Sequence, residues 1–376
     1  MEGRELLTHL LGRDISHEGP TPVSMLAVLR DSGPLSVKTL ANEFGITRRT
    51  VYHALQPCEI GLVDRSESGY QLLGGGFAAL DAVETAQRQV PGSDLAWLAG
   101  ASSRPEVLTV LGDATEPRKK ADLGQQENLP SRVTVHRIIE AAVERGWCIR
   151  SDGFLLTGAG ETTLAVYRRL KHALDQAVAK SPFLRHLGPR STSLPLASLD
   201  EAELVVIDDD TRPHATLSAS IEAAGIRDGG VDGIRTVCPV FSDVMFDAFS
   251  DLIDRKTTIE VVFDRDTYRE LTYPNRLHHL APALVAPNVS FRIHPESLDL
   301  GVATYDDAVL LVSRAADDAP EAGISGNSSE LHEWASERID SRWATAREPS
   351  EQVRHVLQRY APDWLHDEDS DEETAG

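Results

Sequence analysis

Two short runs carry the residue types that read nucleic acid: Thr47-Arg48-Arg49-Thr50-Val51-Tyr52-His53 and Arg132-Val133-Thr134-Val135-His136-Arg137. An arginine makes a bidentate bond to guanine, and a threonine bonds a base edge or touches a thymine methyl. At the exposed start of a helix such side chains meet base edges in the major groove. Thr47, Arg48, Arg49 and Thr50 are therefore candidates for base contact. His53 and Arg137 sit one turn further on, placed for phosphates. Arg65 and the Ser66 to Ser68 turn that follow are placed for backbone or minor groove. The equivalents in the second run are Arg132, Thr134, His136, Arg137 and Arg150, with Arg118, Lys119 and Lys120 one helix earlier. The plain alternative is a solvated polar face, against which stands the recurrence of the same basic pattern. A sharper alternative for the second run is a packing or dimerisation module.

The recurrence extends well beyond these runs. Thr50-Val51-Tyr52-His53 returns as Thr134-Val135-His136-Arg137, 84 positions later (134 − 50), Gly61 as Gly146, and Gly69-Tyr70-Gln71-Leu72 as Gly153-Phe154-Leu155-Leu156. One unit has been used twice. In the first copy a helix is expected over 23–30. A second has Ser36 as N-cap and a stripe of Val37, Leu40, Ala41 and Phe44, and is ended by Gly45. A third is capped by Thr47, with Val51, Ala54 and Leu55 inward and Arg48, Arg49, Thr50 and His53 outward. Residues 62–65 and 70–73 then read as a hairpin. Three helices and a hairpin, with the tight Gly45-Ile46 turn, make a winged helix-turn-helix. The second copy is expected as helices over 105–111, 117–126 and 131–145 with strands at 147–149 and 154–156. Helices over 77–89 and 162–179 trail the two hairpins.

The chain has 376 residues, with 59 acidic against 37 basic residues and a formal net charge of −22. Residues 1–180 hold 20 basic and 22 acidic residues, a net of −2; residues 181–376 hold 17 and 37, a net of −20. Such asymmetry points to a polyanionic partner for the first half. An acidic, lysine-poor chain is also what a salt-saturated cytoplasm favours. Three cysteines exclude a disulfide-stapled secreted scaffold. No run is apolar enough for a membrane span, and no signal peptide is evident, so a cytoplasmic protein is expected.

The N-terminal run from Leu40 to Leu55 carries a resemblance to a known family. So do Glu203 to Asp208 with Thr211-Arg212-Pro213-His214, and Gly301-Val302-Ala303 with Asp306 to Leu311. The chain resembles haloarchaeal winged-helix transcriptional regulators with a C-terminal domain of the methanogenesis-filamentation-regulator type. The resemblance implies a homodimer bound to promoter double-stranded DNA, with a domain for effector sensing or dimerisation behind it. A small-molecule effector stays open. That domain is distantly similar to phospholipase-D-like folds, whose activity needs a histidine with a lysine two positions on. None of the 13 histidines has one. No enzyme is therefore expected.

The remaining half alternates strands and helices, which suggests an α/β layer. Strands are expected near 203–208 (buried), 231–240, 258–263 and 288–293, with a hairpin over 300–313. Helices are expected over 242–254, 266–284, 330–346 and 351–360. The fold class is thus α+β, with domains over 1–90, 91–180 and 195–362 and a disordered acidic tail over 363–376. Cys58, Cys148 and Cys238 are isolated, so no zinc-type spacing exists, and His278-His279 point apart on a helix. Asp208-Asp209-Asp210 reads as a solvated turn or a cation site. Gly74-Gly75-Gly76 and Gly158-Ala159-Gly160 lack the Lys-Ser/Thr of a phosphate loop. No metal or cofactor is expected. The rival function is a protein–protein adaptor that no longer touches DNA.

Overall fold

The computed structural model describes residues 1–12, 20–114, 116–123, 126, 129–187, 194–206, 219, 221, 233–239, 257–271, 273, 286–314 and 320–349. The expected helices at 242–254 and 351–360, the Asp208 to Asp210 run, His278-His279 and the acidic tail lie outside them. The chain divides into two units, Met1–Ser181 and Pro182–Gly376.

The first unit opens with α1 (Gly3–Leu10). A module follows: α2 (Pro22–Ser32), α3 (Val37–Glu43), α4 (Arg48–Leu55), a 3-10 turn (Gln56–Ile60), and the hairpin β1 (Val63–Ser66) and β2 (Gly69–Leu72). Then come α5 (Gly74–Gln87) and α6 (Gly92–Ala99). The module recurs as α7 (Ser103–Gly112), α8 (Lys120–Leu123), α9 (Arg132–Glu144), β3 (Cys148–Arg150) and β4 (Phe154–Leu156), with α10 (Gly158–Ala179) behind it. α11 (Ser181–Leu184) follows at the boundary between the units.

Local chemistry sets these ends. Side-chain oxygens of Thr21, Ser36, Thr47, Ser131 and Thr157 accept the backbone N–H three residues on, at the starts of α2, α3, α4, α9 and α10. Each supplies one of the donors that a helix start leaves unpaired. Gly45, at φ 64°, occupies the left-handed conformation between α3 and α4.

The equivalence of the copies holds in detail. Leu35 and Tyr70 exchange both backbone hydrogen bonds (3.0 and 2.9 Å), as Arg118 and Phe154 do (2.9 and 2.8 Å), so each hairpin gains a third, one-residue strand. This pairing corrects one expectation. Arg118 is not on a helix, and the helix expected over 117–126 is α8, Lys120–Leu123, because the backbone before it is spent on the sheet. α5 and α10 begin earlier than expected, at Gly74 and Gly158. The glycines there are helix starts fitted against the hairpins. A Cβ on Gly76 would fall on the Leu62 carbonyl oxygen, and one on Gly160 on that of Trp147.

α5 and α10 pack on each other, and α1 packs on α10. Leu6, Leu7 and Leu10 are wholly buried, and the Gly3 N–H donates to Asp175 Oδ1 at 2.7 Å. Arg30 on α2 bonds Glu84 on α5 at 2.8 Å. Both copies therefore share one centre. In it Tyr167 is buried with its hydroxyl lacking a hydrogen-bond partner among the described residues, and burial pushes that phenol above its usual range. An unpaired buried hydroxyl costs about 1–3 kcal/mol. Tyr167→Phe is therefore expected to leave thermal stability unchanged or raise it by a few degrees. A lower midpoint would show that the hydroxyl has a partner.

The second unit holds one sheet of seven strands: β5 (Glu203–Val206), β6 (Gly233–Cys238), β7 (Thr258–Asp264), β8 (Val289–His294), β9 (Leu300–Tyr305), β10 (Ala308–Arg314) and β11 (Pro320–Gly326). Their order is β5-β11-β10-β9-β6-β7-β8. β6, β7 and β8 run parallel, and the other pairs are antiparallel. β9 and β10 form the expected hairpin across Asp306, whose φ is 45°. β5, expected to be buried, lies at the edge of the sheet among the described residues, with β11 as its one described neighbour and with Glu203 and Val206 exposed. α12 (Arg265–Leu271) follows β7, and α13 (Ser329–Thr345) packs on the sheet through Leu331, Ala335 and Ile339. Arg235 ties sheet to helix, bonding Glu260 at 2.7 Å and Asp340 at 2.6 Å. At the irregularity between Val312 and Arg314, the buried Ser313 hydroxyl donates to the C=O of Ala322 and accepts its N–H, so both backbone groups of Ala322 are paired there.

Candidate nucleic-acid interface

α4 is held from behind by Val51 and Leu55, both wholly buried, while Thr47, Arg48, Arg49, Thr50, Tyr52 and His53 are exposed. Thr47 is engaged as the cap: its Oγ1 accepts the Thr50 N–H at 3.2 Å and lies 2.9 Å from the Thr50 hydroxyl. It fixes the helix start, and Thr50 presents its methyl and remaining hydroxyl capacity. Arg49 Nε donates to His53 Nε2 at 3.3 Å. His53, one turn further on, thus braces Arg49. Among the described residues Arg48, Arg49 and Arg65 have no carboxylate within ion-pair distance, although the chain as a whole is strongly acidic.

The hairpin is coupled to this helix through aromatic side chains. The Arg65 guanidinium lies 4.7 Å from the centre of the Tyr52 ring. Tyr52 in turn meets the buried Tyr70 edge-on, with ring centres 6.4 Å apart. Tyr70 donates its hydroxyl to Glu59 at 3.0 Å; burial, and then that bond, keep its phenol protonated well above the usual range. Arg65 on β1 and Arg49 on α4 are therefore set relative to each other through Tyr52. The basic pattern in the sequence passed over Tyr52, Tyr70 and Glu59. The signal available was Tyr52 itself, an exposed aromatic beside the predicted contact residues.

The second copy differs. Arg132 and Arg137 are exposed on α9, and Ser131 Oγ accepts the Thr134 N–H at 3.4 Å. Where the first copy has Arg49, the second has Val133, 79% exposed. Arg150, at the position of Arg65, is held by both carboxylate oxygens of Glu140 at 2.7 Å, and Glu140 also lies 3.3 Å from His136 Nδ1. Glu140 stands on the third turn of α9, away from the helix start, and the hairpin folds Arg150 back onto it. The two copies share a backbone plan, yet the second has a neutralised hairpin.

No group of three or more histidine, cysteine, aspartate or glutamate side chains able to hold a metal ion occurs among the described residues. Cys58, Cys148 and Cys238 are buried, and burial pushes the Cys58 thiol up to about 12 and the Cys148 thiol up to about 11. Thiols held protonated react slowly. The native protein should take up no iodoacetamide within an hour at pH 8, and all three thiols should react after denaturation. Rapid native labelling, read by mass spectrometry, would contradict this burial.

No described helix is long and apolar enough to cross a membrane. Among curated proteins none matches the chain. Several solved structures match, among them three at low TM-score. TrmBL2, an archaeal chromatin protein described as showing a novel mode of DNA binding, is 12% identical over 70% of this chain and 100% of its own, with a TM-score of 0.30. Nuc, a phospholipase D family member from Salmonella typhimurium, is 14% identical over 40% of this chain and 99% of its own, at 0.31. NucT from Helicobacter pylori is 15% identical over the same shares, at 0.32. Two family models match. Residues 92–179, which span α6 to α10, match the HVO_A0261 N-terminal domain, and residues 211–345 match the middle domain of the methanogenesis regulatory protein FilR1.

Proposed function

We propose that this protein is a transcription regulator that binds promoter DNA sequence-specifically, as a homodimer in the cytoplasm of a halophilic archaeon. α3 and α4 act as a helix-turn-helix, β1 and β2 as its wing, and the second module as a further winged helix. The observation that carries this reading is the start of α4. Thr47 to Thr50 stand exposed, and their arginines lack carboxylate partners among the described residues, in a chain of net charge −22. Residues 1–180 hold 22 carboxylates for 20 basic groups, enough to pair these arginines had packing favoured it. A cationic patch left open there is consistent with a polyanionic ligand. The match of residues 211–345 to a regulator's middle domain supports the same reading, with the second unit sensing an effector or mediating dimerisation. No catalytic role is assigned to that unit.

Genome-wide occupancy of the tagged protein in its own high-salt cell tests this. Discrete peaks sharing a two-fold motif are expected, since a dimer's symmetry is mirrored in its site. A flat profile would overturn the reading. The adaptor reading draws on exposed Val133 and neutralised Arg150 in the second module; it predicts that flat profile.

A further inference from the structure

Away from the start of α9, two arginines of the second module gather around one indole. The guanidinium carbons of Arg104 and Arg145 each lie 4.7 Å from the centre of the Trp97 ring. Trp97 meets Trp147 edge-on at 5.6 Å, and Arg145 is also 5.6 Å from the centre of the Trp147 ring. Arg104 donates from Nη1 to the Trp97 carbonyl. It lies where a side chain at position 100 would be: a Cβ on Gly100 would come within 2.8 Å of Arg104 Nη1. Burial, and then the proximity of Arg137 and Arg145, hold the Arg104 pKa below its ordinary value. One carboxylate, Asp94, pairs with Arg145 at 3.4 Å. Arg104 and Arg137 have no carboxylate partner among the described residues.

Like charges gathered with too few counterions oppose folding unless an anion completes the group. A guanidinium stacked on a ring spends its faces on the ring, and its edge matches the oxygens of a phosphate; Arg104 keeps the edge donors other than Nη1, and Arg145 those not given to Asp94 and the Ala141 carbonyl. The rest of the module fits. Its hairpin arginine is neutralised by Glu140, and Val133 replaces the second arginine of its helix start. Cationic capacity has moved from the base-reading position to this array. We propose that Arg104 and Arg145, set on the Trp97 platform, together with the exposed Arg137 of α9, bind the phosphodiester backbone of double-stranded DNA. The second module then holds the duplex while the first reads its sequence.

This rests on the DNA-binding reading above, and the test separates the two. The full-length protein is titrated with a fluorescein-labelled random-sequence duplex across a KCl range in which its circular dichroism stays constant. Each phosphate contact contributes about 0.9 to the slope of log affinity against log salt. Arg104→Gln combined with Arg137→Gln is expected to lower that slope by about two. Arg137→Gln alone, an exposed change that spares the stack, should lower it by about one. If both slopes equal that of the wild type while Arg48→Ala with Arg49→Ala abolishes binding to the promoter duplex, the array is no phosphate site and the DNA reading stands. If the arginine-array variants leave both duplexes bound as before and Arg48→Ala with Arg49→Ala leaves the promoter duplex bound as before, both fall. Pyrophosphate that stabilises the wild type but not the variant against heat, with slopes unchanged, would make this a small-anion site and overturn the assignment to DNA.

Discussion

Replacing Arg48 and Arg49 together by alanine is expected to abolish specific promoter binding while leaving the fold intact. Both side chains are exposed at the first turn of α4, and neither has a carboxylate partner among the described residues to be left unpaired. Thr47 remains to cap the helix through the Thr50 N–H. Alanine is the better helix former, so the melting temperature should hold or rise slightly. Each bidentate contact to a base edge contributes about 1–3 kcal/mol of discrimination, so two correspond to roughly thirtyfold to 25,000-fold. The loss should exceed that of either single variant. Arg49→Ala should also release His53, which Arg49 engages at 3.3 Å. Gel shift or fluorescence anisotropy on a promoter duplex identified by occupancy measures the effect. Unchanged affinity with an unchanged melting temperature would move the function away from α4 altogether.

The second large effect concerns stability, and its sign is the test. Gly76→Ala and Gly160→Ala place alanine within the first turn of α5 and of α10. In an open helix such a change stabilises by about 0.5–1 kcal/mol. Here the added methyl falls on a backbone carbonyl, Leu62 for one and Trp147 for the other, and it also meets Leu72 or Leu156. A backbone atom packed between hairpin and helix cannot swing aside as a surface side chain can. Each change is expected to cost about 2–4 kcal/mol, in the range of overpacked cores. At about 2–4 °C per kcal/mol for a unit of this size, the midpoint should drop by roughly 5–15 °C. Similar losses at both positions would express the structural equivalence of the two modules. A rise at either would mean that the helix and hairpin separate more readily than this packing allows.

Much of this was legible in the sequence, and the reasons are local. The order of three helices and a hairpin followed from caps, stripes and turn glycines, which act over three or four residues. Ser36 and Thr47 do cap α3 and α4, and Gly45 does take the left-handed conformation between them. The exposure of Arg48, Arg49 and Thr50 followed from helical period alone, once Val51 and Leu55 were taken as the inward side. The repeat was visible because its markers, Thr50/Thr134 and Gly69/Gly153, keep their spacing. The alternation of β7 and the β9–β10 hairpin was equally local.

What the tertiary structure decided lies between residues distant in sequence. Arg118 became a strand residue because Phe154 pairs with it, and α8 shrank accordingly. Gly74 and Gly158 start helices although their sequences read as loops, because hairpin and helix press together there. β5 lies at the edge of the described sheet because of where β11 falls in the sheet order, which no pattern within residues 203–206 encodes. The same holds for the candidate site. Arg65 gained its position from Tyr52, and Arg150 is paired with Glu140. Arg104 and Arg145 met on Trp97 from separate helices. Composition and period fixed which side chains face outward. Which outward charges stay open to a ligand depended on contacts made by other segments, and only packing brings those together.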